Sequence, residues 1–409
     1  MTINRYSDIV FFLTSFCYIS FIPFLNAEVQ PIGSVFALFG LLFFCKGKLP
    51  KSLNFWCLFL FIYLIFSLVF LKTKITSVLT FVMLTTPLFS FHYFYKFHDK
   101  ISLRVFTYIL YSWLLLCFFQ LFLPEILKSL GIDAFLKLLI RRFSSEALTA
   151  FGRGVLIFSP EPSYAAHTLY FFSVFSLYAF NKKIINKRKT LFFFLTIVFM
   201  VMATASGTIG LIILINLIIY LIFSKNLYFL FSVIPISILL YYFFYDLRIF
   251  KILYATFLTL YESNSFSDLF ELFTSFGSTR EFSVSVAYTT ILNGNIFGYG
   301  IGSWSTEFLN KMYEFGFDPG LISRFKRDGL INLKPYSYGG LVAFDIGLIG
   351  ITFFTLVYRK IFFKLKNISN VGKSIAITSL ILIYFHTLTS LPLYWATLAL
   401  SLNMFKNEK

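Results

Sequence analysis

Repeated apolar stretches, most of them close to the length that crosses a bilayer, constrain this chain more than any other feature. A membrane-spanning helix needs about 20 predominantly apolar residues. Of the 409 residues, 58% are hydrophobic and 13% are charged, which is typical of an all-α, polytopic integral membrane protein. We predict about 12 transmembrane helices, at residues 9–25, 31–45, 53–71, 75–95, 105–123, 164–180, 191–203, 209–223, 227–245, 341–358, 374–388 and 392–405.

Lysines and arginines are divided unevenly between the two sides of these helices. With the N-terminus in the cytoplasm, one side holds twenty of the 35 basic residues against three acids, Asp8, Asp99 and Glu408. The other side is nearly balanced, so the net charge of +17 lies in short turns that the positive-inside rule places in the cytoplasm. The scattered surplus predicts topology, with both termini cytoplasmic, and not nucleic-acid binding.

Two long polar segments, 124–163 and 246–339, then face outward. The second is far longer than an ordinary connection and holds four arginines, many aromatic residues and a glycine run. Arginine binds phosphate through paired hydrogen bonds, and aromatic faces suit sugar rings. We therefore expect this loop, with short helices inside it, to hold a phosphorylated substrate. The predicted organisation is helices 1–5 in 1–123, a first outer loop in 124–163, helices 6–9 in 164–245, the large outer loop in 246–339, and helices 10–12 in 340–409.

Metal and cofactor chemistry has no support in the sequence. The four cysteines, Cys17, Cys45, Cys57 and Cys117, fall in apolar spans, where small buried hydrophobic side chains are expected. The outer loops contain neither an Asp-x-Asp pair nor a His/Cys cluster, so we predict no metal and no cofactor.

The segment 152–167, Gly-Arg-Gly-Val-Leu-Ile-Phe-Ser-Pro-Glu-Pro-Ser-Tyr-Ala-Ala-His, combines several features of a binding site. Pro162 suits the first position of a helix, and the free amides at such a helix start favour an anion. Glu161 then stands near Arg153 at the membrane boundary, where an acid is costly unless it is paired or functional. Ser163 and His167 share a helix face, although an intramembrane histidine is more often a packing or hydrogen-bonding residue.

The segment Ser278-Thr-Arg280-Glu281 has the pattern of a capping box. Arg280 would lie in the first turn of the helix, beside exposed amides, and could bind phosphate there. The alternative, an ordinary capped helix with a surface arginine, stays open. The face that follows has helical spacing and consists of Val284, Ala287, Tyr288 and Ile291.

Four segments follow one another along the chain: 153–166 with Glu161-Pro-Ser163; Ser206-Gly-Thr208; Arg280 followed by Asn293-Gly-Asn-Ile-Phe-Gly-Tyr-Gly-Ile-Gly302; and Gly340-Leu-Val-Ala-Phe-Asp345-Ile-Gly-Leu-Ile-Gly350. With the topology and the long outer loop, they resemble the O-antigen polymerase and ligase superfamily, most closely its Wzy-type polymerases. The resemblance covers about 153–350. It implies a metal-independent glycosyltransferase that joins repeat units linked to undecaprenyl pyrophosphate, at the outer face of the bacterial cytoplasmic membrane.

One departure from the family separates its branches. The ligase branch usually has a histidine where this chain reads Lys334-Pro-Tyr336-Ser-Tyr338, and neither outer loop contains a histidine. This favours the polymerase branch and leaves the catalytic base unassigned. The partners implied are lipid-linked glycan substrates and membrane lipids, together with a chain-length regulator and a flippase.

Transfer of a glycan from a lipid pyrophosphate requires neutralisation of the leaving group and a base for the incoming hydroxyl. We assign neutralisation to Arg153 and Arg280 and rank Glu161 first as the base, followed by His386 and then His167. Asp345 has structural and catalytic interpretations of equal weight. The supporting and substrate-binding candidates are Arg141, Arg142, Arg324, Ser163, His167, Tyr288, Tyr336 and Tyr338.

Three other functions compete with the polymerase. A lipid-linked oligosaccharide flippase or another transporter would share the spans, but transporter sites lie near the membrane midplane on broken helices. A ligase would differ mainly in its acceptor. A non-enzymatic receptor or assembly subunit would have no chemical requirement for Glu161 or Arg280.

Overall fold

The computed structural model describes residues 1–21, 29–70, 74–140, 154–224, 279–315 and 334–404, with the side chains of 279–282 excepted. Within these ranges the regular structure is helical, and the one strand-like pairing is an isolated bridge between Ile19 and Ile140. The all-α prediction is therefore confirmed for the described residues. The predicted span 227–245 and most of the predicted large loop lie outside them.

Serine and asparagine caps fix several of the helix starts. For example, the Ser337 hydroxyl accepts a hydrogen bond from the Gly340 amide, and the Asn186 side chain accepts one from the Lys189 amide. In chain order the helices are α1 (Ile3–Ser15), α2 (Ile32–Phe44), α3 (Lys51–Phe70), α4 (Lys74–Phe97), α5 (Leu103–Phe122), α6 (Pro124–Ser129), α7 (Ile132–Leu139), α8 (Pro162–Asn181), α9 (Lys187–Thr204), α10 (Gly207–Ser224), α11 (Thr279–Leu292), α12 (Trp304–Glu314), α13 (Tyr338–Asp345), α14 (Gly347–Tyr358), α15 (Lys360–Lys364), α16 (Asn370–Phe385) and α17 (Pro392–Ser401).

The predicted spans within the described residues coincide with helices, but two differ from the structure in extent. Helix α1 begins at Ile3 and ends at Ser15, well before the predicted end at residue 25. The prediction of one continuous helix over 341–358 was wrong, because the chain breaks between α13 and α14. Gly347 has a φ of 75°, and a Cβ atom there would overlap the backbone of Gly298, so the break brings a second segment into close contact.

Four helices of the described residues are long and apolar enough to cross a membrane: Lys51–Phe70, Lys74–Lys100, Leu103–Phe122 and Gly207–Ser224. Many large apolar side chains on α3, α5 and α10 are exposed, as expected for helices that face lipid. These features are those of a membrane-embedded protein.

Helix α17 lies at the centre of the bundle. Every one of its residues is buried, and it packs against α4, α8 and α16. In the most apolar stretch of the α4 span, 56% of the residues are buried, compared with 28% in α3, 33% in α5 and 22% in α10. Helices α4, α8 and α17 therefore form the interior, and α3, α5 and α10 form the periphery.

Candidate functional site

Helices α8, α11, α13 and α17 begin at the same end of the bundle, which we name the site end. The chain reaches α8 through the buried segment 154–160, which packs on the ends of α5 and α9. The Val155 amide donates to the Ala203 carbonyl at 3.0 Å, and the Ile157 amide donates to the Gln120 side chain at 2.7 Å. A Cβ atom at position 154 would overlap the backbone of Thr204, so this position of the motif Gly152-Arg-Gly154 requires glycine.

Helix α8 starts where the sequence predicts, with Pro162 as its first residue and Glu161 immediately before it. Glu161 and Ser163 are half-buried, and the Ser163 hydroxyl donates to a Glu161 carboxylate oxygen at 3.4 Å. The Ser159 hydroxyl donates to the Glu161 carbonyl at 2.8 Å. The carboxylate therefore stands partly exposed at the edge of a buried, well-fixed backbone.

Tyr336 connects the starts of two helices that are far apart in the sequence. Its hydroxyl lies 3.4 Å from the hydroxyl of Tyr164, in the first turn of α8. Its backbone amide donates to the Ser283 hydroxyl at 3.1 Å, near the start of α11. Helix α11 begins at Thr279, where the capping box places the first helical residue. The structure thus brings the Glu161 and Arg280 segments to one place.

A buried cluster of histidines and tyrosines lies one turn deeper along α8. The His167 Nδ1 atom is 2.6 Å from the Tyr394 hydroxyl, in the first turn of α17. His386, the residue after α16, has its ring centre 6.3 Å from that of His167. Tyr18 stacks on Tyr164 at 5.3 Å. The second and third candidate bases, His386 and His167, are therefore neighbours in the structure.

Tyr288 and Tyr338 are held by bonds inside the bundle. The Tyr288 hydroxyl donates to the Tyr384 carbonyl at 3.1 Å, and the Ser337 hydroxyl donates to the same carbonyl at 2.5 Å. The Tyr338 hydroxyl donates to the Leu84 carbonyl at 2.9 Å and accepts from Trp56 at 3.0 Å. These bonds fix α11 and α13 to the core, and the substrate-binding roles of both tyrosines stay predictions.

The segment with the glycine run, Gly298-Tyr-Gly300-Ile-Gly302, packs against the break between α13 and α14. The amides of Leu348 and Ile349, in the first turn of α14, donate to the carbonyls of Asn295 and Ile296. In the other direction, the Tyr299 amide donates to the Phe344 carbonyl at 3.2 Å, and the Gly300 amide to the Asp345 carbonyl at 2.8 Å. Residues 295–300 therefore satisfy backbone groups that the break would leave unpaired.

The Asp345 side chain completes this contact. It is fully buried, accepting from the Gly302 amide at 2.7 Å and from the Ser303 hydroxyl at 3.0 Å. The Trp304 amide, at the start of α12, also donates to it. A carboxylate at a helix start is favoured by the helix dipole. These contacts support the structural interpretation of Asp345 over the catalytic one.

Several described cations in the two predicted outer loops have acidic partners. Lys137 pairs with Asp133 at 3.2 Å, and Lys311 pairs with Glu314 in α12. The hydrogen bond to Glu314 raises the pKa of Lys311. Lys334, two residues before Tyr336, is half-buried with its ammonium 5.8 Å from the centre of the Trp304 ring.

The side chains of the arginines predicted from the sequence to bind phosphate lie outside the described part of the chain. Arg280 is the second residue of α11, but its side chain is not among those described. Their roles stay predictions. The other four proposed or supporting positions fall outside the described residues and are Arg141, Arg142, Arg153 and Arg324.

Four residues at the site end were not predicted from the sequence: Tyr18, Tyr164, Tyr394 and Lys334. Tyr394 lies in an apolar run of the last span and shows no local signal. Lys334 lies in a stretch that the sequence did mark, as the place where this chain departs from the ligases. Among the described residues, no three His, Cys, Asp or Glu side chains form a metal-binding group.

Over the described residues, the fold is that of a helical, membrane-embedded protein with a polar cluster at one end of the bundle. The chain matches no protein-family model, and no curated protein or solved structure is significantly similar to it. A functional assignment therefore rests on the chemistry of the site end.

Proposed function

We propose that this protein is a glycosyltransferase that joins oligosaccharide repeat units, carried on a lipid pyrophosphate, into a surface polysaccharide. The proposal rests on one observation: Tyr336 connects the start of α8 with the start of α11. Helix starts favour anions, and two of them connected through one tyrosine suit a pyrophosphate, which carries two anionic groups. Glu161 lies at one start and Arg280 at the other.

The proposed reaction is a displacement at the anomeric carbon of the donor repeat unit. An acceptor sugar hydroxyl forms the new glycosidic bond as the bond to the lipid pyrophosphate breaks. The hydroxyl proton passes to the Glu161 carboxylate, and the pyrophosphate leaves as an anion neutralised by Arg153 and Arg280. Arg141, Arg142 and Arg324 support these two arginines. His386 and His167 stand one turn deeper as the alternative base.

The proposed setting is the cytoplasmic membrane of a bacterium, crossed about twelve times, with both termini inside and the site end outside. The uneven distribution of lysine and arginine supports this orientation. An external site also suits an activated lipid donor, because the external side lacks a nucleotide-sugar pool. The resemblance to Wzy-type polymerases supports undecaprenyl as the lipid. It also implies a chain-length regulator and a flippase as partners.

A transporter is the second candidate, since transporters often build their sites on broken helices. The break between α13 and α14 is such a feature. Its facing backbone groups, however, are bonded by residues 295–300 of the same chain. A substrate would have to displace these bonds to bind there, so the break supports a fixed loop better than a transport site.

The decisive experiment examines glycans in cells that lack the protein. A polymerase null should still attach single repeat units to their final acceptor, whereas a ligase null should leave long chains on the lipid carrier. Complementation with Arg280→Ala should yield no polymer, and Arg280→Lys should restore little, because an ammonium cannot reproduce the planar, bidentate guanidinium.

The matched control for Arg280 is Lys311→Ala, which removes another cation of the same outer loop, one already paired with Glu314. It should leave polymer length near normal. Long lipid-bound chains in the null cells would contradict the polymerase. Full polymer with Arg280→Ala would remove that arginine from the site.

A further inference from the structure

The turn between α8 and α9 is the most strongly basic part of the described chain. It lies at the end of the bundle opposite the site end, because α8 spans 20 residues, or roughly 30 Å at 1.5 Å per residue. No acidic residue occurs between Glu161 and Asp246. Five of the eight residues at positions 182–189 are basic: Lys182, Lys183, Lys187, Arg188 and Lys189.

Four of these five cations are exposed, and Lys182 is half-buried. Lys183 has a φ of 58°, in the left-handed region that a lysine rarely occupies. Its amide donates to the Phe180 carbonyl and closes the end of α8 at 2.9 Å. Lys187, Arg188 and Lys189 form the first turn of α9 and are exposed, and no described acid pairs with them.

Several cations in the other basic turns at this end have partners of their own. Lys100 forms an ion pair with Asp99 at 2.8 Å. The Lys364 ammonium lies 4.3 Å from the centre of the Tyr95 ring, and Lys373 lies 5.5 Å from Phe223. Topology alone accounts for the sign of these charges. It does not account for a cluster of exposed cations next to an apolar groove.

A shallow, open apolar groove of about 280 Å³ lies directly beside the cations. Its walls are Phe180 at the end of α8, with Leu191 and Phe194 on the second turn of α9, and Lys187 stands at its rim. Leu191 is 61% exposed, so the groove opens on the lipid-facing side of α9. Apolar walls below a cationic rim match a molecule with an acyl chain below a phosphate.

We propose that this turn binds an anionic phospholipid of the adjacent membrane leaflet. The headgroup phosphate contacts Lys187, Arg188 and Lys189, and part of an acyl chain lies in the groove against Phe180 and Phe194. Basic clusters at the membrane surface attract anionic lipids, and each nearby cation adds to the attraction. The site is separate from the proposed transferase site and does not depend on that function.

The test measures lipid binding to the purified full-length protein by native mass spectrometry, with phosphatidylglycerol and phosphatidylcholine as probes. Wild-type protein should bind phosphatidylglycerol at least tenfold more tightly than phosphatidylcholine. Replacing Lys187, Arg188 and Lys189 together by glutamine should weaken phosphatidylglycerol binding by roughly 10- to 100-fold. The matched control replaces Arg359, Lys360 and Lys366 by glutamine, three exposed cations of the same composition at the same end of the bundle, and should keep the binding.

A second variant tests the groove without changing charge. Leu191→Trp places a bulky side chain over the groove from an exposed position, so it should fold and still weaken phosphatidylglycerol binding, because the acyl chain loses its place. Equal losses in the two glutamine variants would show a diffuse charge effect and overturn the site. Complete displacement by soluble glycerol phosphate would indicate a free-anion site and overturn the lipid assignment.

Discussion

Glu161 and Asp345 are both acids that the sequence places at the edges of apolar spans, yet their surroundings differ. Asp345 is fully buried, and two amides and a hydroxyl donate to it. Glu161 is half-buried beside the Ser163 hydroxyl, which lies 3.4 Å away. A fully buried carboxylate that accepts three bonds from its own chain is out of reach of a substrate, whereas a half-exposed one at a helix start can accept a proton from a substrate.

The contrast extends to the surrounding backbone. Around Asp345, the break between α13 and α14 is closed by residues 295–300. Around Glu161, the preceding segment is fixed by α5 and α9, while the first turn of α8 meets Tyr336 and, through it, the start of α11. We infer that the Asp345 region positions the outer loop and that the Glu161 region carries the chemistry.

The largest expected effect concerns the glycine contact. A Cβ atom at Gly298 would overlap the backbone of Asp345, and its φ of 74° disfavours any other residue. Gly298→Ala should therefore prevent the loop from docking and sharply reduce folded protein. Gly294→Ala is the matched control, because Gly294 has a φ of 90° but open space around it. The control should cost only about 1–2 kcal/mol in backbone strain.

Thermal unfolding of both glycine variants in detergent measures the difference. A Gly298→Ala protein as stable as Gly294→Ala would show that the docked loop is not needed for the fold.

Next in size is the loss of the Asp345 carboxylate. Asp345→Ala leaves three buried donors without their acceptor, at roughly 1–3 kcal/mol for each unsatisfied group. The melting temperature should fall clearly. It should fall less for Asp345→Asn, because the asparagine amide oxygen can still accept a hydrogen bond. Glu161→Ala should change the melting temperature little. Equal shifts for Asp345→Ala and Glu161→Ala would erase the distinction between the two acids.

Glu161→Gln should leave the fold intact and lower polymer formation by about 10²–10⁴-fold, the usual contribution of a general base. Glutamine keeps the shape and hydrogen bonding but cannot take the hydroxyl proton. The measurement is polymer yield at matched protein level in the membrane. Near-normal polymer would move the base to His386 or His167.

The smallest effect expected is that of Tyr336→Phe. The hydroxyl contact with Tyr164 is long, and an ordinary hydrogen bond contributes about 0.5–1.5 kcal/mol. Activity should fall by no more than about tenfold. Tyr336→Ala also removes the ring, so its activity should be lower still. A larger loss for phenylalanine than for alanine would indicate that the hydroxyl has a role other than joining α8 and α11.

Local signals predict the helices well and their assembly poorly. Pro162 and the capping box before Arg280 predict the starts of α8 and α11, because proline and capping residues act within a single turn. The break at Gly347 was missed, because its cause is the backbone of Gly298, distant along the chain. The Tyr336–Tyr164 contact likewise spans 172 positions, which no local pattern encodes.

Reconstitution tests the central claim most directly. Purified protein in phospholipid vesicles is supplied with a repeat unit linked to undecaprenyl pyrophosphate, and the products are separated by length. We predict a ladder of polymers that persists with a chelator and disappears with Glu161→Gln and Arg280→Ala but not with Lys311→Ala. Movement of intact repeat units across the vesicle membrane without any chain growth would contradict it.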